Sequence, residues 1–193
     1  MSAVQLSLLE PEPALPEGFR YRPDLLTPDE ERALVAAFAD IDFRPYEFHG
    51  YLGKRRVASF GLHYDFGERK LRDSLPMPEF LLPLRERAAA FTDAAPAALV
   101  HALVTEYEAG APIGWHRDRP VFGDVIGVSL LSPCRFRFRR RSASPGRWER
   151  TEIALQPRSV YLLHGTARSE WEHSIPPMEQ LRYSVTFRSL RAE

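Results

Sequence analysis

The sequence predicts a mainly β fold with flanking helices, of the α+β class, whose strands form a sandwich or a barrel. Two observations lead to this prediction. From about residue 100 onward, short runs rich in apolar and β-branched residues recur at fairly even spacing, and turn signals such as EAGAP, SASPG and QPRS separate most of them. The first hundred residues contain two segments with helical spacing, which would pack outside the sheets.

The composition is that of one ordinary globular domain. The chain has 193 residues, of which 44% are hydrophobic and 27% charged, and its formal net charge is zero. A zero net charge excludes a general attraction to polyanions, so any contact with nucleic acid must come from local basic patches. We expect residues 1–18, which include several prolines, to form a loose or docked arm, and residues 19–193 to form a single domain.

The single cysteine, Cys134, excludes an intramolecular disulfide and a cysteine-rich zinc site. It lies between two strand-like runs and is expected to pack as a small hydrophobic residue. No apolar run approaches the roughly 18 residues of a membrane span, so no membrane contact is expected. The first residues lack the basic start and apolar core of a signal peptide. We therefore expect a cytoplasmic protein, and a monomer.

Two helices are predicted in the first half of the chain. Thr27 is a suitable N-cap for the first helix, Pro28 fits the first turn, and Glu30 can complete a capping box, so this helix should cover residues 28–39. The second segment with helical spacing covers residues 79–91 and tolerates a proline near its start.

The remaining segments have strand character. Residues 43–66 are rich in aromatic, glycine and β-branched residues, which favours strands and turns. The other predicted strands cover residues 102–108, 124–132, 135–140, 150–156, 159–165 and 181–190.

A candidate metal site follows from the GWHRD motif. In an extended segment His116 and Asp118 point to one side and Arg117 to the other, although two polar residues of a loop would give the same pattern. With His173, in WEHSI, they would form the set of two histidines and one carboxylate that holds iron in non-haem oxygenases. The other histidines are His49, His63, His101 and His164. His164 ends a predicted strand and is expected to be a turn residue or a neighbour of the site, not a ligand.

The last predicted strand, RYSVTFR, places two arginines on one face. Arg182 and Arg188 are six positions apart, or about 20 Å of extended backbone. Buried guanidinium groups need anionic partners, and arginine binds carboxylates in a bidentate manner. The strand therefore predicts either a pocket for a dicarboxylate or a solvent-facing surface with scattered arginines.

Together, the motifs EYEAGAPIGWHRD, WEHSI and RYSVTFR resemble the AlkB family of Fe(II)/2-oxoglutarate-dependent dioxygenases. The resemblance covers residues 100–190 well and the first hundred residues more loosely. It implies a double-stranded β-helix, or jelly roll, with iron at one open end. It implies the cofactor Fe(II), the co-substrate 2-oxoglutarate and O₂. The implied iron ligands are His116, Asp118 and His173, and the implied co-substrate residues are Thr105, Tyr107, Arg182, Ser184 and Arg188.

The match departs from the family pattern at three positions. Many members have asparagine where this chain has Thr105 and Ser184, so a shorter hydrogen-bonding group stands at both positions. Pro120 replaces a carboxylate that helps to hold the substrate base in one branch of the family. The co-substrate site is compatible with these changes, but an identical substrate does not follow from the resemblance.

Residues 43–75 resemble the family's variable lid over the substrate. The resemblance makes Tyr51, Arg55, Phe60, His63 and Tyr64 candidate substrate-binding residues, through base stacking, edge contacts or phosphate contacts. Ordinary core packing is the alternative for the aromatic residues, and a solvated turn is the alternative for the KRR run at residues 54–56.

A second basic run, RFRFRRR, begins at Arg135. Alternation places Arg135, Arg137 and Arg139 on one face of a strand and Phe136 and Phe138 on the other. The arginines would either meet phosphates or form a charged edge that prevents aggregation.

The function implied by the resemblance is oxidative demethylation of N-alkylated bases in DNA or RNA, in repair of alkylation damage. Hydroxylation of an N-methyl group would release formaldehyde, and 2-oxoglutarate would leave as succinate and CO₂. A protein hydroxylase or demethylase of the same family is one alternative. A non-catalytic β-barrel that binds nucleic acid is the other.

Overall fold

The structure is a computed structural model that describes residues 14–48, 51–65, 70–142, 144 and 146–191. For residues 47–48, 51–52, 63–65 and 70–73 it describes the backbone alone. In these parts of the chain, no helix is long and apolar enough to cross a membrane.

Three α-helices are found in the described part of the chain, which is mainly β. They are α1 (Pro28–Ala37), α2 (Leu82–Thr92) and α3 (Gly165–Ser169), and short 3-10 turns cover Phe38–Asp40, Glu79–Leu81 and Pro96–Ala98. The predicted capping box is present at the start of α1, where Thr27 and Glu30 each accept a hydrogen bond from the other's backbone N–H. Local sequence therefore fixes where this helix begins.

Twelve strands are found among the described residues. They are β1 (Phe19–Arg22), β2 (Arg44–Phe48), β3 (Tyr51–Asp65), β4 (Lys70–Asp73), β5 (Leu99–Tyr107), β6 (Ile113–His116), β7 (Phe122–Leu130), β8 (Cys134–Arg141), β9 (Trp148–Leu155), β10 (Val160–Leu163), β11 (Glu172–Ile175) and β12 (Arg182–Leu190). They form two sheets. The major sheet has the order β1-β10-β7-β12-β5-β3-β2, with β4 on β3, and the minor sheet has the order β6-β11-β8-β9.

The last eight strands form a jelly roll, which confirms the predicted fold. From β5 to β12 the chain passes from one sheet to the other, and it places four strands in each. All the pairings are antiparallel. Strands β1 to β4 extend the major sheet at its two edges.

Two apolar clusters hold these layers together. The first lies between the major sheet and helices α1 and α2 and includes Phe38, Leu84 and Phe187. The second lies between the two sheets and includes Phe136 and Phe138 of the basic run. The alternation predicted for β8 is therefore present, with buried phenylalanines and outward arginines. Cys134 is buried in the second cluster, as expected.

The structure contains five helices and strands that the sequence pattern did not predict as regular structure. These are β1, β4, β6, β11 and α3. Each has only four or five residues, so no hydrophobic period can develop within it. Two of them, β6 and β11, carry the candidate metal ligands.

Candidate metal centre and co-substrate pocket

Pairing of two short strands brings the candidate metal ligands together. In the minor sheet, His116 at the end of β6 lies directly opposite His173 of β11, and their ring centroids are 4.3 Å apart. Asp118 follows two residues after β6, and its Oδ2 lies 3.5 Å from Nε2 of His173. One ligand atom from each of the three residues lies within 4.8 Å of the other two.

The protonation states of these three residues suit a metal ion. Burial lowers the pKa of His116, and burial together with the neighbouring His116 lowers the pKa of His173 to about 3. Burial alone would raise the pKa of Asp118, but Arg188 and the two imidazoles outweigh it, so that pKa lies well below its usual range. Two neutral imidazoles beside an ionised carboxylate are the states in which these side chains bind metals.

A backbone carbonyl sets the orientation of the first imidazole. Nδ1 of His116 lies 3.0 Å from the carbonyl oxygen of Gly114. When Nδ1 carries the proton and donates it to this oxygen, Nε2 is left with its lone pair for a metal ion.

Arg188 holds the carboxylate of Asp118 from the other side. Its Nε and Nη2 lie 2.8 Å and 2.6 Å from Oδ1 of Asp118, which leaves Oδ2 facing His173. Nη1 of Arg188 lies 3.2 Å from Nδ1 of His101, whose Nε2 is 3.1 Å from the hydroxyl of Ser59. This chain of hydrogen bonds fixes Arg188 and, through it, the ligand oxygen.

Arg168 of α3 stabilises the loop that carries Asp118. Its guanidinium donates to the carbonyl oxygens of Arg119, Phe122 and Gly123 at 2.5 to 2.9 Å. One side chain therefore ties three backbone groups of residues 119–123 to α3.

The predicted co-substrate arginine is buried and has an unused hydrogen-bond donor. Arg182 is 1% exposed, its Nε donates to the hydroxyl of Ser129 at 3.1 Å, and its guanidinium carbon lies 4.8 Å from the ring centroid of Tyr107. Its Nη1 has no hydrogen-bond partner among the described residues. A buried cation with an unused donor suits an anionic guest, because an unpaired buried charge is costly.

Tyr107 contacts this guanidinium, and the predicted co-substrate residues Thr105 and Ser184 are buried on the same pair of strands. The hydroxyl of Tyr107 lies 3.2 Å from that of Ser184, and both residues are buried. Thr105 is also buried and lies opposite Ser184 in the pairing of β5 with β12. The pocket therefore combines one cation with several hydroxyl groups, a donor set that fits a carboxylate.

Two residues near the pocket were not predicted from the sequence. Ser129 lies opposite Ser184 in the pairing of β7 with β12, and no pattern within either strand indicates this register. Tyr161 of β10 is buried and lies close over Gly127, where an added Cβ would be 2.2 Å from the tyrosine ring. In the sequence, the position of Gly127 within a strand indicates such a close approach, because a glycine there leaves room for a neighbouring group.

The predicted substrate residues have different outcomes. Arg55 lies over the ring of Tyr46 at 4.0 Å, close enough to the metal site for its charge to lower the pKa of His116. Arg56, by contrast, is bound by Glu106 at 2.6 Å and is not free for a phosphate. The side chains of Tyr51, His63 and Tyr64 lie outside the described residues.

The structure places Phe60, which was predicted to contact substrate, in the apolar core. Phe60 is 7% exposed and packs in the apolar cluster between the major sheet and the helices. It lies in the part of β3 that pairs with β5, where alternate side chains turn toward this cluster. Its role is core packing.

His164 lies outside the metal site, as expected. It is the residue before α3, it is exposed, and its Nδ1 lies 2.6 Å from Oδ1 of Asp124.

The comparison with known families identifies the class of this protein. A family model described as "2OG-Fe(II) oxygenase superfamily" matches residues 18–188. The chain belongs to this superfamily, in which Fe(II), 2-oxoglutarate and O₂ are used, and within it to the AlkB family. The family predicted from the three motifs is thus confirmed.

Similar proteins agree with this assignment. The "Alkylated DNA repair protein ALKBH8 homolog" of Arabidopsis thaliana is 32% identical over 212 residues, which cover 97% of this chain and 59% of that protein. The chain thus spans less than two thirds of this relative. "Uncharacterized protein L905" of Acanthamoeba polyphaga mimivirus is 25% identical over 203 residues, covering 91% of this chain and 86% of that protein.

A solved structure supports the fold. The structure titled "The structure of OsALKBH1" superposes with a TM-score of 0.63 over 91% of this chain and 98% of that chain, at 16% identity.

Proposed function

We propose that this protein is an Fe(II)- and 2-oxoglutarate-dependent dioxygenase that oxidatively removes N-alkyl groups from bases in DNA or RNA. The convergence of His116, Asp118 and His173, with one ligand atom from each within 4.8 Å of the others, carries the proposal. In this assignment both imidazoles and Oδ2 of Asp118 hold the iron. When bound, the iron with 2-oxoglutarate and O₂ oxidises an N-methyl C–H bond, and the products are formaldehyde, succinate and CO₂.

The chain's own residues position the reactants. Arg182 takes the distal carboxylate of 2-oxoglutarate through its unused Nη1, and the hydroxyls of Thr105, Tyr107 and Ser184 line the same pocket. Enclosure between the two sheets keeps water away from this ion pair, which strengthens it.

Arg188 has a different part in this scheme. Because it is already bound to Asp118, it fixes the ligand oxygen instead of binding the distal carboxylate. The two arginines of RYSVTFR are therefore divided between the metal and the co-substrate.

Two observations support a nucleic acid as the substrate. The Arabidopsis relative, at 32% identity over 97% of this chain, is described as an alkylated DNA repair protein. In this chain the β2–β3 hairpin places the cationic Arg55 near enough to the metal site for its charge to act on His116, and there Arg55 can meet a phosphate of a strand whose base enters the site.

The test is turnover of 2-oxoglutarate with a panel of methylated oligonucleotides. We expect succinate and formaldehyde in equal amounts, loss of the methyl mark by mass spectrometry, and a requirement for Fe(II). His116→Ala should abolish both products while the protein stays folded. Succinate formation that survives His116→Ala would refute the metal assignment. Stimulation by methylated peptides but not by oligonucleotides would assign the enzyme to proteins instead.

A further inference from the structure

The outer surface of the minor sheet carries a stacked array of arginine and tryptophan. Trp115 of β6 lies between Arg137 and Arg139 of β8, at 5.1 Å and 4.5 Å from their guanidinium carbons. Trp148 of β9 lies between Arg139 and Arg141, at 4.4 Å and 4.3 Å. We call this surface, with the adjoining residues of β9, β11 and α3, the arginine–tryptophan face.

Stacking prepares these arginines to bind an anion. A guanidinium held over an indole ring has already lost much of its side-chain freedom, so less entropy is lost when it binds. The N–H groups of a guanidinium point outward along its own plane. They remain available for paired hydrogen bonds to phosphate oxygens.

Part of the positive charge on this face is already neutralised. Glu152 pairs with Arg135, Glu172 pairs with Arg139, and Arg140 is held by Glu149 and Glu170. Seven arginines and four glutamates give 7 − 4, or a net charge of +3, in a chain whose overall net charge is zero. The arginines counted are Arg117, Arg135, Arg137, Arg139, Arg140, Arg141 and Arg150.

Four of these arginines have no carboxylate partner among the described residues. Arg117 donates to the carbonyl oxygen of Ser169, and Arg137 donates to the hydroxyl of Ser174 at 3.1 Å. Arg141 and Arg150 are exposed, and no ion pair within the described ranges includes either of them. Arg150 lies opposite Arg139 in the pairing of β8 with β9, so Arg137, Arg141 and Arg150 belong to one continuous surface.

The position of this surface relates it to the candidate metal centre. Trp115 directly precedes His116, and β6 is the edge strand of the minor sheet, so the surface begins one residue from a metal ligand, on the outer side of the same strand. Four strands at about 4.8 Å spacing make the face about 14 Å wide. A groove of about 530 Å³ joins β8 to α3 across the loop after β6, and four arginines are among its lining residues.

We propose that the arginine–tryptophan face binds the phosphodiester backbone of a single-stranded nucleic acid that passes around the β6 edge from the metal centre. This inference rests on the proposed function for the identity of the strand. The Trp and Arg side chains stabilise one another, and Arg137, Arg141 and Arg150 contact successive phosphates. The face therefore supplies affinity that does not depend on methylation or on base sequence.

The test uses the full chain and a fluorescein-labelled, unmethylated single strand of about 15 deoxynucleotides. Fluorescence anisotropy gives the Kd at several salt concentrations. Each phosphate contact on a single strand contributes about 0.7 to the slope of log K against log salt. Replacing Arg137, Arg141 and Arg150 together by glutamine should therefore reduce the slope by about 2 and weaken binding at least about tenfold at low salt.

A charge-matched variant is the control. Arg20→Gln, Arg22→Gln and Arg32→Gln remove the same charge from other surfaces, because Arg20 and Arg22 lie over Phe91 of α2 and Arg32 lies on α1. This variant should keep the affinity and the slope of the wild type within about twofold. An equal loss in both variants would mean that net charge alone decides binding, and it would overturn the proposal.

Three further outcomes refute the inference. They are absence of wild-type binding, an unchanged slope in the face variant, and displacement of the strand by polyglutamate at equal charge concentration, which would indicate an acidic protein partner. Demethylation of a methylated trinucleotide is measured separately. If the trinucleotide is demethylated while the face variant binds like wild type, the inference fails alone. If the face variant shows the expected loss of affinity and of salt dependence, but the methylated trinucleotide is not demethylated, only the proposed function is refuted.

Discussion

Replacing Arg182 by methionine should separate co-substrate binding from folding. The side chain is 1% exposed, and its Nη1 has no partner among the described residues. Methionine keeps the apolar part of the side chain and removes the charge. The variant loses one hydrogen bond to Ser129 and the stacking on Tyr107, each worth about 1 kcal/mol. Removal of the unpaired Nη1 restores stability, because an unsatisfied buried donor costs about 1–3 kcal/mol or more.

These contributions nearly cancel in the protein without ligand, so we expect its unfolding free energy to change by no more than about 1 kcal/mol. The co-substrate complex should behave differently. Loss of a buried, paired charge costs about 2–5 kcal/mol, which raises a Kd between about 30-fold and several thousand-fold, and we take an increase of about 100-fold. At a 2-oxoglutarate concentration 100 times the wild-type Kd, stabilisation falls from about 2.7 to about 0.4 kcal/mol.

Thermal unfolding with Mn²⁺, with and without 2-oxoglutarate, measures this difference. For a chain of this length, each kcal/mol of stabilisation raises the Tm by about 2–4 °C. Addition of 2-oxoglutarate should therefore raise the Tm of the wild type by roughly 5–11 °C and that of the variant by about 1 °C. Arg87→Met removes an exposed arginine paired with Glu30 and should keep the full shift. A wild-type shift in Arg182→Met would refute the assignment of the pocket. Equal destabilisation with and without ligand would give Arg182 a structural role only.

Three other substitutions test separate parts of the structure. Arg168→Gln should weaken Mn²⁺ binding about 10–100-fold, because the loop that carries Asp118 loses its support, and an unchanged Kd in a metal titration would contradict this role. Gly127→Ala places a Cβ 2.2 Å from the ring of Tyr161 and should cost about 1–3 kcal/mol, measured by urea unfolding, whereas wild-type stability would show that the ring can move. Asp118→Asn should abolish succinate formation in the Fe(II)-loaded protein, and substantial remaining turnover would exclude the carboxylate as a ligand.

Features set by neighbouring residues could be predicted from the sequence. The capping box of Thr27 and Glu30 involves one turn of helix, and its residues are sufficient to define it. The alternation in β12 likewise separates Tyr183 and Phe187, which pack toward the helices, from Arg182, which enters the pocket between the sheets. In both cases the period of one element decides which side chains are buried.

Features set by pairing between distant strands could not be predicted in the same way. His116 and His173 are separated by 56 intervening residues, and only the register of β6 with β11 places them side by side. The resemblance of the sequence motifs to a family identified both residues, but it did not show how the two side chains are arranged. Ser129 was missed for the same reason, because it reaches Arg182 across a pairing that neither strand encodes alone.

The core position of Phe60 has a different cause. β3 is 15 residues long, and its pairing changes from β2 at one end to β5 and β4 further along. A single strand therefore supplies both Arg55, near the metal site, and Phe60, in the core. Residue type cannot separate these environments, since an aromatic side chain suits either.

The most direct test of the central claim is the location of a bound metal ion. Crystals grown with Mn²⁺ and 2-oxoglutarate without O₂, measured at the manganese absorption edge, would show its position by anomalous scattering. We predict one ion within about 2.0–2.3 Å of Nε2 of His116, Nε2 of His173 and one carboxylate oxygen of Asp118, with 2-oxoglutarate reaching Arg182. An ion bound by other residues, or a 2-oxoglutarate carboxylate that does not pair with Arg182, would contradict this prediction.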